Sequence, residues 1–286
     1  MTTRDALTDL LALTGAVARA PFTRARPDVP PPPVRITRGP VRVDEDRLAA
    51  YARLCGFRHV AGGPLPLTYP HVLGFPQAMR LMSRRDFPLP LLGLVHTWIT
   101  ITRHTPLTAA DSPELTVYAR ESKPHHRGTE VTMVTEARLA GRLVWESASG
   151  YLARHDTTAK APPRDAHPLP PTPTTAEWHL PRNLGRRYAA VSGDRNPIHL
   201  HPLTARAFGF PRTVAHGMWT LARCLAERDA ENEPAYVKAE FKAPLLLPST
   251  VAYATDDSGR VQLRTGDRLH LIVDPNRPEE TSARSS

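Results

Sequence analysis

The chain has 286 residues, 41% hydrophobic and 23% charged, the balance of a globular protein long enough for two domains that each bury a core. No apolar run approaches the ~20 residues of a membrane-spanning helix. Two cysteines, Cys55 and Cys224, are too few for a disulfide scaffold, so a reducing, cytoplasmic setting is expected. The formal charge of +9 invites a nucleic-acid reading, but Lys and Arg are scattered and no aromatic-and-basic motif accompanies them, so no nucleic-acid partner is expected. An Arg-rich composition bias accounts for the charge, and attraction of an anionic substrate or an acidic carrier is the functional reading that survives beside it.

In chain order, Leu10 to Val17 form an apolar stretch, but Asp5 and Asp9 stand where a secretory signal would be basic. The stretch reads as an amphipathic N-terminal helix, and Pro30 to Pro33 extend it into a proline-rich lead-in that completes a segment over 1–33. A first folded unit is expected over 34–156. Within it Phe75, Met79 and Met82 recur at helical spacing, and alternating runs follow at Leu115 to Arg120, Glu130 to Leu139 and Leu143 to Leu152, with Gly141 as a turn. Residues 157–176 hold six prolines and read as a linker. A second unit, 177–273, repeats the plan: Met218, Leu221, Ala222 and Leu225 at helical spacing, then Val251 to Ala254, Val261 to Arg264 and Leu269 to Val273, with Gly266-Asp267 as a turn. The polar tail over 274–286 reads as disordered.

The two units are self-similar. Tyr51-Ala52-Arg53-Leu54-Cys55-Gly56-Phe57-Arg58 matches Tyr188-Ala189-Ala190-Val191-Ser192-Gly193-Asp194-Arg195, and at nearly the same offset Arg103-His104-Thr105-Pro106-Leu107 falls opposite Phe241-Lys242-Ala243-Pro244-Leu245. Each unit reads as a short helix, a loop, a longer apolar helix and antiparallel strands able to wrap it. The expected class is α+β, a tandem repeat.

The chemistry concentrates in the second unit. Gly193 favours the left-handed position that closes a helix beginning near Leu184, and Pro197 forces Asn196 out of the helical region. Asp194 and His199 therefore sit on a rigid loop, where a carboxylate and an imidazole can share one water, with Asn196 fixing the loop through backbone groups. Downstream, Gly217 leaves a bare N–H at the start of the apolar helix, where unsatisfied donors and the macrodipole favour negative charge, an oxyanion site. His216 is expected to orient the turn before that helix. His199-Leu200-His201 has spacing that could place two imidazoles on one metal, with Asp194 or His216 as a third ligand, which makes a metal hydrolase the rival reading. Without a closed ligand set, His201 reads as a loop histidine. Cys224 reads as core, His125-His126 as a solvent-exposed turn, and Ser192, outside any Gly-x-Ser-x-Gly setting, as a turn former.

The run Tyr188 to His199, followed by Ala207-Phe208-Gly209-Phe210 and Val214-Ala215-His216-Gly217-Met218, closely resembles the signature of the MaoC-like dehydratase and (R)-specific enoyl-CoA hydratase family. Leu67 to Leu73 and Pro90 to His96 resemble the N-terminal half of double-hotdog 3-hydroxyacyl-thioester dehydratases. The resemblance implies a double hotdog, an antiparallel sheet wrapping a central helix in each half. It also implies a hydro-lyase acting on acyl-CoA or acyl-carrier-protein thioesters in fatty-acid or polyketide metabolism, with no metal or redox cofactor. It assigns the catalytic pair to Asp194 and His199 and the oxyanion site to Gly217. Two departures matter. Phe57 stands opposite Asp194 and Gly62 opposite His199, which implies one active site per chain and a first half free to shape an acyl pocket, Phe57 included. Leu225 stands near a serine that some relatives carry. A non-catalytic acyl-thioester binding module and a hotdog thioesterase are the alternatives, and with both hotdogs on one chain a monomer or a homodimer is expected.

Overall fold

The computed structural model describes residues 25–58, 61–161, 172–228 and 233–277. The expected N-terminal helix, the middle of the linker and the last nine residues lie outside them. Among the described residues no helix is long and apolar enough to cross a membrane.

Ten strands form one sheet in the order β1-β3-β4-β5-β2-β7-β10-β9-β8-β6. The first half contributes β1 (Arg35–Arg38), β2 (Val95–Arg103), β3 (Glu114–His125), β4 (Gly128–Leu139) and β5 (Arg142–Arg154). The second contributes β6 (Ala176–Leu180), β7 (Tyr236–Phe241), β8 (Ser249–Thr255), β9 (Val261–Thr265) and β10 (Arg268–Asp274). Every pairing is antiparallel. Read outward from the β2–β7 seam, where Trp98 faces Glu240 and Ile101 faces Val237, each half presents five strands in the same order of succession. The internal repeat is thus an architectural one, and the fold is the expected α+β double hotdog.

The helices are α1 (Glu45–Cys55), α2 (Tyr69–Met82), α3 (Leu184–Ser192), α4 (Pro197–Leu200), α5 (Pro202–Ala207) and α6 (Gly217–Glu227). α1 starts where Asp44 accepts the Arg47 N–H, carries Glu45 and Asp46 in its first turn, and closes at Gly56 with φ 88°, each an arrangement that suits its end of the helix dipole. α3 closes the same way at Gly193, φ 84°. The matched tyrosines of the repeat, Tyr51 and Tyr188, are both fully enclosed and pack ring to ring at 6.1 Å, so the pseudo-symmetry converges on an aromatic contact. The halves are also joined by Arg47 Nε donating to the Val191 carbonyl at 2.7 Å and Trp219 Nε1 donating to that of Leu54 at 3.2 Å. Cys55 and Cys224 are buried and free.

Some expectations shift. The strand at Asp274 is intact, its carboxylate paired with Arg260 at 2.9 Å, so the polar tail starts later than position 274. Ala176, placed at the end of the linker, already pairs with Tyr253.

Candidate active site

A cavity of about 210 Å³ opens between the halves. The second half supplies Asp194, His199 and the start of α6; the first supplies His71, His96 and Tyr151 from α2, β2 and β5.

The loop from Gly193 to Asn196 is built by short-range bonds, and His199, expected on the same loop, lies instead in α4 because Pro197 opens a new helical turn. Ser192 Oγ donates to the Tyr188 carbonyl at 2.8 Å and accepts the Asp194 N–H at 3.1 Å. Asp194 Oδ1 accepts the Asn196 N–H at 3.0 Å, and Asn196 Oδ1 caps α4 by accepting from Ile198. Pro197 at the first helical position needs no N–H partner. Gly185 lets α3 lie directly on α4, since a Cβ there would stand 2.1 Å from the His199 carbonyl oxygen.

His199 is buried, and its Nδ1–H donates to the Val214 carbonyl at 2.7 Å. That bond fixes the tautomer and leaves Nε2 as an acceptor. Burial pulls its pKa below the ordinary histidine value, opposed by the Asp194 charge and the Val214 carbonyl. His216 donates from Nε2 to the Asp194 carbonyl at 3.0 Å, with the Asp194 carboxylate 3.8 Å away, and burial holds it neutral as well, helped by His199. A carboxylate oxygen of Asp194 and one ring nitrogen each of His199 and His216 lie within 4.8 Å of one another. A water donating or accepting two bonds of about 2.8 Å at a tetrahedral angle holds its partners about 4.6 Å apart, a separation that falls within this bound. Among the described residues the same trio is a group that could hold a metal; its two rings stack at 3.7 Å, and it supplies three donors, one short of a closed tetrahedral set. The His199–His201 pairing does not form. His201 points away, its Nδ1 capping α5 by accepting the Leu203 N–H at 3.2 Å.

Gly217 is the first residue of α6, whose N-cap His216 makes no side-chain capping bond, so its first N–H groups have no partner within the helix, and Gly217, Met218 and Thr220 line the cavity. Glycine is also required sterically: a Cβ would meet Phe241 Cε1 at 2.9 Å. Leu225 is buried core. The hydroxyl that α6 presents to the cavity belongs to Thr220, which donates to the Gly217 carbonyl at 2.7 Å.

Phe57 is a correction. Partly buried, it stacks on Tyr51 at 6.4 Å and packs against the edge of the core, and it does not line the cavity. The first half faces the site with His71, His96, Tyr151 and Thr97. His71 and His96 fall within the two stretches that resemble the N-terminal half of double-hotdog dehydratases, but nothing local marks them as cavity residues.

A ten-stranded double hotdog with a carboxylate–imidazole pair beneath an uncapped helix N-terminus defines a class of acid/base thioester-processing proteins. Residues 158–268 match the family described as MaoC like domain. The chain is 36% identical over 266 residues to 3-hydroxyacyl-thioester dehydratase X of Mycobacterium tuberculosis, covering 91% of this chain and 92% of that one. The crystal structure of HtdX of Mycobacterium tuberculosis superposes with a TM-score of 0.74 at 32% identity, covering 84% of this chain and 98% of that one. A MaoC-like dehydratase from Phytophthora capsici shares the fold, with a TM-score of 0.66 at 18% identity over 88% of this chain and 96% of that one. This chain belongs to the MaoC-like dehydratase family.

Proposed function

We propose that the protein is a hydro-lyase interconverting (3R)-3-hydroxyacyl and trans-2-enoyl thioesters. The observation that carries this reading is the Asp194–His199 pair, spaced for one shared water, with the His199 tautomer fixed so that Nε2 accepts. In hydration, His199 Nε2 takes a proton from the water as its oxygen bonds to Cβ. Electron density moves onto the thioester oxygen, which the Gly217 N–H and the α6 N-terminus stabilise. The enolate then collapses as Cα takes a proton from the Asp194–His199 pair, so water is added overall and the pair returns to its starting state. Dehydration is the reverse. Asn196 and His216 hold the loop that carries Asp194.

The reading assigns one site to each chain. The first half builds the opposite wall, and Arg127, Arg154 and Lys242 at the cavity favour a phosphate-bearing carrier, which coenzyme A and acyl carrier protein both provide.

The test is loss of enoyl absorbance on incubation with crotonyl- and octenoyl-CoA. Asp194→Asn and His199→Ala are expected to fold and to lose turnover by orders of magnitude. Near-normal turnover in both variants would sink the assignment, and release of free thiol without hydration would make the protein a thioesterase.

A further inference from the structure

Across the cavity from Asp194 the first half builds a polar cluster that the reaction above does not use. His71 of α2 and His96 of β2 stack at 6.2 Å with 11° between their planes. His96 stacks in turn on Tyr151 of β5 at 4.7 Å. His71 is only 7% exposed, and its Nδ1 is enclosed without a hydrogen-bond partner, as is Nε2 of His96. Both side chains line the cavity. A wall built only to hold a hydrocarbon chain gains nothing from two imidazoles, because each buried polar atom left unpaired costs about 1–3 kcal/mol.

From these positions we propose that the His71–His96 wall is a subsite for an uncharged oxygen, a hydroxyl or a ketone, on the acyl chain beyond the reacting carbons. The inference rests on the thioester reading given above. Phe241 sets the location. Its ring is the one a Gly217 Cβ would strike, and its other neighbour is His96, at 4.8 Å, so the imidazoles stand one aromatic ring beyond the thioester end. The chemistry sets the ligand. Burial holds His71 down to about 4 and His96 to about 3, so both are neutral near pH 7. A neutral ring carries one N–H donor and one acceptor nitrogen; a backbone bond at Trp98 takes the donor of His96, so His96 offers its acceptor nitrogen and His71 supplies the donor, together a match for a hydroxyl or a carbonyl. The Asp194 charge is felt at His71 and at Tyr151, and it disfavours a carboxylate in the same space.

The experiment compares trans-2-octenoyl-CoA with the matched series carrying a hydroxyl at C5, C6, C7 or C8 or a ketone at C5, C6 or C7, and reads the ratio of kcat/KM for each oxygenated substrate to that for the plain one. At least one position is expected to exceed the plain substrate tenfold or more in the wild-type protein. His71→Leu and His96→Leu are expected to bring that ratio to about 1, and His71→Gln, which keeps a donor and an acceptor, to retain part of it. A wild-type ratio near 1 at every position overturns the subsite, as does a preference that survives both leucine variants. If His71→Leu leaves the ratio unchanged and moves only the acid limb of the pH profile, the pair handles protons and the subsite is again overturned. Should the leucine variants fail to fold, the wild-type series still decides. Failure of the hydro-lyase reading is distinguishable, because it appears as no turnover of the plain substrate; binding of saturated hydroxyoctanoyl- against octanoyl-CoA to Asp194→Asn by calorimetry then reads the subsite without catalysis.

Discussion

The imidazoles of His199 and His216 stack with their centroids 3.7 Å apart and 26° between their planes, and each gives an N–H to a backbone carbonyl, His199 to Val214 and His216 to Asp194. The acidic loop is thereby tied to the residue that caps α6, so the position of Asp194 and that of the helix N-terminus are set together.

His216→Ala should therefore act through position rather than through chemistry. It frees the Asp194 peptide and removes the ring that supports His199. The expectation is a fall in kcat on the order of 10²-fold, the scale of a misplaced reacting group, with KM changed much less. Steady-state kinetics on an enoyl-CoA check this, and a loss confined to KM would show that His216 serves substrate binding alone.

The pH profile follows from burial. His199 must be neutral to accept a proton, and its pKa lies below 6.5 in the folded protein. The acid limb of hydration should therefore be centred below the ordinary histidine value, so a limb centred above 6.5 contradicts the base assignment. Stability moves in the same direction. Below 6.5 the unfolded chain binds protons that the buried His71 and His96 refuse until about 4 and about 3. Stability is thus expected to fall as pH drops from 6.5 toward those values, by up to about 1.4 kcal/mol per pH unit for each such group, as denaturant midpoints would record.

Gly217 carries two demands that a double variant separates. Gly217→Ala pushes a Cβ into the Phe241 ring, and overpacking of this kind costs about 1–3 kcal/mol. Adding Phe241→Leu makes room. If glycine is needed there only for packing, the double variant regains activity; if the close approach of the thioester oxygen to the bare backbone matters too, stability returns while turnover stays low.

Gly185 is a residue of no chemistry on which the site depends. A Cβ there collides with the His199 carbonyl, a backbone atom that cannot swing aside, so Gly185→Ala must part α3 from α4. A lowered melting temperature together with lost turnover is expected. A variant as stable and as active as the parent would show that the contact between the helices is loose.

The site loop was legible because its determinants are local. Gly193 closes α3 at φ 84°, Asn196 caps α4 and Pro197 opens it, and these steric and capping preferences act within two or three residues. The repeat was legible for the same reason, since Tyr51 and Tyr188 lie in matching helices. Strands β2 and β7 carried a weaker signal. β2 sits mid-sheet with most of its side chains only partly buried, and its alternation is confined to Ile99-Thr100-Ile101-Thr102, a shorter run than those of β3 to β5. The terminal strands β1 and β6, of four and five residues, are too short to stand out.

The sequence by itself determined the double-hotdog class, the loop that holds Asp194, and the helix N-terminus at Gly217. Only the tertiary structure decided what faces them. It set Phe57, partly buried, against the edge of the core and brought His71, His96 and Tyr151 to the wall opposite Asp194, because which side chains meet across a cavity depends on how two distant halves join at the β2–β7 seam, and no short-range preference along the chain encodes that.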